Sequence, residues 1–370
     1  MSKQIKVGVI GGGLMGREVA SAFGRWFALE DSNVSPSLVA VADVNDDALS
    51  WFRSVPSCTT LTQNYKELLQ LEDVDVVYVA VPHNLHEKIY IDVLDSGKDL
   101  LAEKPFGIDI ASSERIIDKI NESKRFVRCS SEFPYFPGAL RVYRAAMSGS
   151  FGRILEIRSG FHHSSDLDPE KPANWKRQSA TCGEIGVLGD LGMHVCHMPF
   201  RLGWNPRSVY AQLQKGYAER PGGSCDTWDN AMLHTWVDIE GVGDAPMRLE
   251  MKRLAPGETD TWFIEILGTE GGAKFSTKEP RTVWTFSRDS EQKWSRIDIG
   301  FNTDFKTITG GIFEPGFPDV LMQMWAAFFA DREGELGDHF GCVTPEEAFR
   351  SHQLFQAALD SQRLNQTISL

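Results

Sequence analysis

Two acid–base side chains stand four residues apart in the segment GDLGMHVCH. If this segment is helical, Asp190 and His194 project from one face. Histidine titrates near neutral pH and can take the proton of an alcohol, while an aspartate can orient the ring or bind a neighbouring hydroxyl. His197 continues the same face, so a metal site is an alternative, although we expect no metal. In the remaining interpretation, Asp190 only caps the start of a helix and His194 only packs in the core.

A lysine follows another predicted strand, in the segment KDLLAEKP. Lys104 lies between Glu103 and Pro105. A lysine near the positive charge of a cofactor, and partly removed from water, has a lowered pKa and can exchange a proton with a hydroxyl that is becoming a carbonyl. A surface lysine paired with Glu103 is the alternative.

A glycine-rich segment near the start of the chain is typical of dinucleotide binding. Gly11, Gly13 and Gly16 fit G-x-G-x-x-G between a strand over 5–10 and an amphipathic helix. The first glycine makes a tight turn, the second admits a pyrophosphate, and the third allows the helix to pack on the strand. Asp43 ends the next strand, where it would bind ribose hydroxyls and repel a 2′-phosphate. These residues predict NAD rather than NADP; a bare turn, or a turn or helix-cap role for Asp43, is the alternative.

The elements that must position these residues change along the chain. The first third alternates strands with amphipathic helices, which predicts an α/β, doubly wound parallel sheet of the Rossmann type over 1–125. Aromatic strand-like segments then predict an α+β domain over 126–370 with a large, mostly antiparallel open sheet. Ligands bind beyond the carboxyl ends of parallel strands, so Asp43, Pro82 to His86 and Glu103 to Pro105 should face one crevice.

The composition excludes several classes of partner. The 370 residues include 51 Asp and Glu against 38 Lys and Arg, and the net charge of −13 repels nucleic acids and anionic membranes. No run of about eighteen apolar residues and no secretory signal pattern is present. Six cysteines without a C-x-x-C pair argue against a thiolate zinc site and against a disulfide framework. We expect a cytoplasmic protein with no nucleic-acid or membrane partner.

Six segments together resemble the Gfo/Idh/MocA family of NAD(P)-dependent oxidoreductases. They are GVIGGGLMG, VAVPHNLHEKIYIDVLDSGKDLLAEKPFG, FGRILEIRSGF, NWKRQ, GDLGMHVCH and FIEILGTEGGAKF, in register from residue 5 to about residue 275. The block with V-P-x-x-x-H and G-K-x-x-x-x-E-K-P is the most specific part. Family members act mostly on sugars, inositols and related polyols. The resemblance implies an NAD-dependent sugar or polyol dehydrogenase that forms a homodimer or homotetramer. It also implies that the second domain binds substrate and oligomerises, and that the last helix packs back on the first domain.

The resemblance also assigns roles to individual positions. Lys104, Asp190 and His194 match the family's catalytic lysine, aspartate and histidine. The predicted cofactor-binding residues are Gly11, Gly13, Leu14, Met15, Gly16, Asp43, Val81, Pro82, His83, His86, Glu103 and Lys104. The predicted substrate-binding residues are Lys104, Tyr135, His162, His163, Trp175, Lys176, Asp190, His194 and Asp229. Ordinary packing is the alternative for each aromatic or histidine in the second set.

Two departures from the family pattern lie near the expected substrate pocket. His197 stands where the family commonly has an aspartate, and the chain reads GEIGVLGD where the family often has a glycine pair. His162 and His163, with the basic pair 176–177, could serve an anionic sugar, or belong to a solvated loop. A related activity also stays open: an NAD-dependent glycoside hydrolase that acts by transient oxidation, elimination and water addition. A non-catalytic NAD-sensing protein would be favoured by loss of Lys104, Asp190 or His194, and all three are present.

Overall fold

The structure is a computed structural model that describes residues 2–289 and 291–370. Its first part is a six-stranded parallel sheet with the order β3-β2-β1-β4-β5-β6. The strands are β1 (Lys3–Ile10), β2 (Val34–Ala42), β3 (Thr60–Thr62), β4 (Val76–Val79), β5 (Asp99–Ala102) and β6 (Val127–Cys129). The helices of this part are α1 (Leu14–Gly24), α2 (Asp46–Phe52), α3 (Tyr65–Leu69), α4 (His86–Asp95) and α5 (Ile110–Ser123).

Burial on both faces explains the continuous apolar sequence of the central strands. Every residue of β4 is buried, as expected for a parallel strand covered by helices on both sides. Polar caps fix where helices begin: the side chain of Asn45 accepts a hydrogen bond from the Asp47 N–H at the start of α2. The strand order brings the carboxyl ends of β1, β4, β5 and β6 to one edge of the sheet.

The second part contains a nine-stranded sheet with the order β16-β15-β14-β13-β7-β12-β11-β8-β17. All neighbours are antiparallel except β7 and β12, which are parallel. Its strands are β7 (Ile154–His162), β8 (Pro206–Gln214), β11 (Asn230–Ile239), β12 (Gly243–Lys252), β13 (Thr261–Gly268), β14 (Gly271–Ser276), β15 (Thr282–Ser287), β16 (Trp294–Asp298) and β17 (Ile368–Ser369). A separate two-stranded ribbon consists of β9 (Glu219–Arg220) and β10 (Gly223–Ser224).

Among the described residues, five α-helices accompany the second sheet, and the central one is buried along nearly all of its length. They are α6 (Pro137–Met147), α7 (Ser179–Cys182), α8 (Val187–Arg201), α9 (Phe317–Arg332) and α10 (Pro345–Leu364). In α8 every residue from Val187 to Phe200 is buried, and the helix packs against β7, β12 and α10. Because α8 carries both Asp190 and His194, the core of the second part fixes the position of these two side chains.

The predicted fold class is confirmed: a doubly wound parallel sheet precedes a mostly antiparallel nine-stranded sheet. The parallel sheet extends past the predicted boundary at residue 125, because β6 runs over Val127–Cys129. The end of the chain returns to the first part, where α9 packs on α1 and α10 packs on α5. None of the helices within the described ranges combines the length and apolar character needed to span a bilayer.

A substitution in α8 tests how closely the helices of the core approach. A Cβ added at Gly192 would lie 2.5 Å from the ring of Phe355 in α10, whereas one added at Gly24, the last residue of α1, would meet no atom within 4 Å. We therefore expect Gly192→Ala to cost about 1–3 kcal/mol of stability through overpacking. Gly24→Ala should instead be neutral or stabilising by up to about 1 kcal/mol. Thermal unfolding midpoints of the two variants, compared at one scan rate, measure the difference, and equal midpoints would contradict the predicted contact.

Candidate active site

A cleft of about 600 Å³ opens where the carboxyl ends of the parallel strands face α8 and the nine-stranded sheet. Residues from both parts of the chain line it. The first part contributes Gly13, Leu14, Met15, Glu18, Ala80, Val81, Pro82, His83, Glu103 and Lys104. The remaining lining residues are Glu132, Phe133, Phe161, His163, Trp175, Lys176, Asp190, Leu191, His194, Asp260 and Phe317. The cleft therefore brings together most of the side chains that the sequence singled out.

The glycine loop has the backbone geometry that a pyrophosphate requires. Gly11 has a positive φ of 106°, and a Cβ there would lie 2.1 Å from the carbonyl oxygen of Ala80. A Cβ on Gly16 would lie 2.3 Å from the carbonyl oxygen of Gly11, so this glycine allows α1 to pack against the loop. At Gly13, in contrast, a Cβ would meet no atom within 4 Å, which leaves open space beside the backbone. These residues fit a dinucleotide at the start of α1.

Asp43 follows β2 and lies across the glycine loop. Its Oδ2 accepts a hydrogen bond from the Gly12 N–H (2.7 Å), and its Oδ1 accepts one from the Asn45 N–H (2.8 Å). Asn45, rather than Asp43, caps α2. The carboxylate is thus fixed at the end of β2, the position from which an acidic residue meets the ribose of a bound dinucleotide.

Lys104 joins the two parts of the chain through Asp190. Its Nζ donates to the backbone oxygen of Asp190 (2.7 Å) and lies 3.3 Å from the Oδ1 of the same residue. Burial lowers the pKa of Lys104, but the charges of Asp190, Glu103 and Glu132 outweigh burial and leave the pKa above its ordinary value. The structure thus corrects the expected lowered pKa: in these surroundings the lysine is a cation and a hydrogen-bond donor.

Asp190 is surrounded by three cationic side chains. Lys176 Nζ lies 2.9 Å from Oδ1, while Arg253 binds Oδ2 through Nη2 (3.0 Å) and Nε (3.2 Å). Burial opposes the charged form of Asp190, but Lys176, Lys104 and Arg253 hold its pKa well below the usual value. Arg253 is 2% exposed and follows β12. It was not predicted from the sequence, because no local motif indicates that this residue lies next to α8 in the folded chain.

His194 lies one helical turn after Asp190, as predicted from their spacing. Its ring is set edge-to-face against Phe133 and Phe161, with centroids 5.2 and 5.5 Å away. Nδ1 is 3.3 Å from the hydroxyl oxygen of Ser131. Burial, followed by the charge of Lys104, lowers the pKa of His194 well below its ordinary value. The imidazole is therefore neutral at neutral pH and able to act as a base.

The strand ends beneath the cleft are held by buried polar contacts. Glu103 Oε1 accepts hydrogen bonds from the hydroxyls of Tyr78 (2.6 Å) and Ser130 (2.5 Å). His83 lines the cleft, and its ring meets Trp175 edge-to-face at 4.8 Å. His86 is fully buried, with ring nitrogens 2.7 Å from the Pro105 oxygen and 2.9 Å from the Val81 oxygen. His86, a predicted cofactor-binding residue, is not among the residues that line the cleft; its ring joins two strand-end loops.

Two predicted substrate-binding residues of the second part lie outside the cleft. Tyr135 is buried in the core, with its hydroxyl 3.5 Å from Cys342 Sγ. His162 lies on the opposite face of the nine-stranded sheet from the cleft, because successive strand residues alternate between faces. Its Nε2 is 3.5 Å from Glu250 Oε2. His163 does line the cleft, where its Nδ1 is 3.4 Å from Asp260 Oδ1.

Asp229 is the third predicted substrate-binding residue that the structure places elsewhere. It accepts a hydrogen bond from the Gly216 N–H (2.8 Å) and lies 3.5 Å from Arg177 Nη1. Arg177 is buried and also pairs with Asp166. This ionic cluster anchors the segment that presents Trp175 and Lys176 to the cleft, so Asp229 supports the site from behind.

Metal binding through α8 has no support in the geometry. His197 is buried beside the ring of Phe340, 4.8 Å between centroids. Within residues 2–289 and 291–370, no group of three His, Cys, Asp or Glu side chains is arranged to hold a metal ion.

Comparison with known proteins places the chain in a family. Residues 5–131 match the model described as the oxidoreductase family, NAD-binding Rossmann fold, and residues 139–274 match the Gfo/Idh/MocA C-terminal domain. The chain therefore belongs to the Gfo/Idh/MocA family of oxidoreductases, as its sequence predicts. NAD is the cofactor of its first domain.

Three similar proteins illustrate the relationship. Levoglucosan dehydrogenase of Pseudarthrobacter phenanthrenivorans is 24% identical over 332 residues, 85% of this chain and 82% of that protein. Inositol 2-dehydrogenase 4 of Saccharopolyspora erythraea is 27% identical over 166 residues, 44% of this chain and 47% of that protein. A solved levoglucosan dehydrogenase in complex with NADH and levoglucosan has a TM-score of 0.88 at 23% identity, over 99% of each chain. The structural match supports the fold.

The position of Asp43 predicts which dinucleotide binds more tightly. Asp43→Asn keeps the shape and one acceptor for the Gly12 N–H but removes the charge that would repel a 2′-phosphate. We expect the ratio of NADPH to NADH affinity to rise by roughly ten-fold, measured by fluorescence titration of the purified protein. Asp47→Asn, an exposed acid in the first turn of α2, serves as the matched control. An unchanged ratio in Asp43→Asn would contradict the assigned role.

The contact between Arg253 and Asp190 predicts a positioning role for the arginine. Arg253→Gln removes the two hydrogen bonds to Oδ2, so Asp190 can shift relative to Lys104. We expect kcat to fall by about ten- to hundred-fold, because small displacements of reacting groups are costly. NADH affinity should stay unchanged, and a loss of NADH binding equal to the loss of kcat would argue against the role. Arg248→Gln, a partly exposed residue of β12 paired with Glu156, is the control.

Proposed function

We propose that this protein is an NAD-dependent dehydrogenase that oxidises a hydroxyl group of a sugar, anhydrosugar or related polyol. The observation that carries the proposal is the contact of Lys104 with Asp190 beside His194, in a cleft that also includes the glycine loop. The relationship to levoglucosan dehydrogenase and inositol 2-dehydrogenase supports the same class of substrate.

His194 is the base of the proposed reaction. Ser131 lies next to Nδ1, so Nε2 is the ring nitrogen left to take the hydroxyl proton. The lowered pKa keeps the imidazole unprotonated at neutral pH, so on the acid side activity should persist until the pH falls through that lowered value. Bound NAD+ supplies the acceptor for the hydride that leaves the same carbon.

Lys104 stabilises the oxygen that becomes a carbonyl. As a cation at the end of β5, it donates a hydrogen bond to an oxygen that gains negative charge as the proton leaves. Asp190 holds the ammonium group in place and has a carboxylate able to accept a hydrogen bond from a neighbouring hydroxyl. The low-dielectric cleft strengthens these interactions relative to water.

The charges of the cleft favour a neutral substrate over an anionic one. Lys104 and Lys176 both contact Asp190, and Arg177 is buried against Asp166. His162 faces away from the cleft, so the basic cluster that could have served an anionic sugar is not assembled there. A neutral pyranose or anhydrosugar, with several hydroxyls and no charge, suits these paired side chains.

A substrate panel tests the proposal. Purified protein with NAD+ is given free sugars, anhydrosugars including levoglucosan, inositols, sugar acids and aryl glycosides, and NADH absorbance and released aglycone are followed together. Stoichiometric NADH with one class establishes the dehydrogenase and its substrate. Aglycone released in an NAD+-dependent manner, without net NADH, would instead establish the glycoside hydrolase that the sequence left open. Neither signal from any class would refute both.

Substitution of the lysine tests its role in the chemistry. Lys104→Met keeps most of the aliphatic length but removes the charge and the donor. We expect turnover to fall by about a hundred-fold or more, while NADH affinity is retained. Lys306→Met, at an exposed ion pair with Glu30, is the control. A Lys104→Met variant with most of its activity would contradict the assignment.

A further inference from the structure

Glu132 is a buried acid of the cleft that the proposed reaction leaves unused. It comes just after β6, next to the carboxyl end of β5, and directly before a short 3-10 helix at Phe133–Tyr135. The residue is 5% exposed and lines the same cavity as Lys104 and His194. Charged side chains are rarely buried without a partner, so this position calls for a physical account.

Two buried acids, Glu103 and Glu132, follow neighbouring strands in different surroundings. Glu103 accepts hydrogen bonds from the hydroxyls of Tyr78 and Ser130, which compensate its negative charge. Glu132 has no side-chain hydrogen-bond donor among the described residues, and Lys104 already donates to another acid. Two carboxyl groups close together cannot both be ionised at low cost. The proton therefore belongs on Glu132, whose carboxyl group receives no hydrogen bond from a described side chain.

The groups that face Glu132 lead to the same charge state. They are Glu103 and Lys104 after β5, Tyr78 in β4, and Asp260 before β13. Burial and then the charge of Glu103 raise the pKa of Glu132 to about 8, against the opposing effect of Lys104. At neutral pH the side chain is thus a carboxylic acid, which can donate a hydrogen bond where a carboxylate can only accept one.

We propose that the neutral carboxyl group of Glu132 donates a hydrogen bond to an oxygen of the bound sugar and holds the sugar against Lys104 and His194. This inference rests on the proposed sugar oxidation. When the pH rises through the pKa of Glu132, the donor is lost and a negative charge develops in the cleft beside Glu103. Sugar binding should weaken in that range, whereas NAD binding should not depend on this side chain.

Two substitutions separate hydrogen bonding from shape. Glu132→Gln keeps an N–H donor at every pH. Its kcat/KM at neutral pH should therefore stay close to wild type, and its pH profile should lack the decline near pH 8. Glu132→Leu has no donor, and kcat/KM for the sugar should fall by about ten-fold, mainly through KM. NADH affinity, measured by fluorescence, should be unchanged in both. Glu184→Gln, an exposed acid paired with Arg363, is the matched control.

Three kinetic or binding results would overturn the inference. They are a Glu132→Leu variant with wild-type KM, a loss of NADH affinity in place of sugar affinity, and a wild-type profile without the alkaline decline. Infrared difference spectra of wild type against Glu132→Gln test the charge state without substrate. If wild type shows no protonated-carboxyl C=O band at neutral pH while the substrate panel gives turnover, only the inference about Glu132 is overturned. A clear band with no turnover from the panel overturns the sugar oxidation, and the proposed contact with it.

Discussion

The pairing of Lys104 with Asp190 is the interaction on which the cleft depends. The lysine follows a strand of the parallel sheet, and the aspartate belongs to the buried helix of the second part. Their contact therefore fixes the two sides of the cleft relative to each other. A buried carboxylate is costly unless cations compensate it. Lys176 and Arg253 complete that compensation, which lets a charge persist where water is scarce. In the proposed reaction, this desolvated lysine is the donor to the developing oxyanion.

Burial has opposite chemical consequences for neighbouring groups in this cleft. Burial lowers the pKa of His194, which leaves its imidazole neutral and free to accept a proton, and it raises the pKa of Glu132, which favours the protonated carboxyl group. Lys104 and Asp190 stay charged in the same surroundings, because each compensates the other. The charge state of a side chain in this cleft thus depends more on its contacts than on its residue type. One small volume thus contains a neutral imidazole, a cationic lysine and a carboxyl group with a raised pKa.

Much of the fold was predictable because it is coded locally. Apolar runs of four to six residues, a glycine loop and helical spacing identified the main strands, α1, α8 and α10. Two elements were missed: β17 has only two residues and carries no pattern of its own, and α5 was not singled out although its sequence IASSERIIDKINES has isoleucines at helical spacing. The boundary fell short of β6 because a three-residue strand carries little periodic signal of its own.

The sequence by itself determined the dinucleotide loop, the acid after β2, and the lysine, aspartate and histidine of the cleft, because each lies in a short segment with fixed spacing. Only the tertiary structure decided which other side chains join them. His162 and His163 are adjacent in the chain, yet the alternation of a strand sends one to each face of the sheet. Arg253 and Glu132 belong to no motif. Arg253 follows β12 and reaches Asp190, and Glu132 follows β6 and lines the cleft, because strands of two different sheets end near α8.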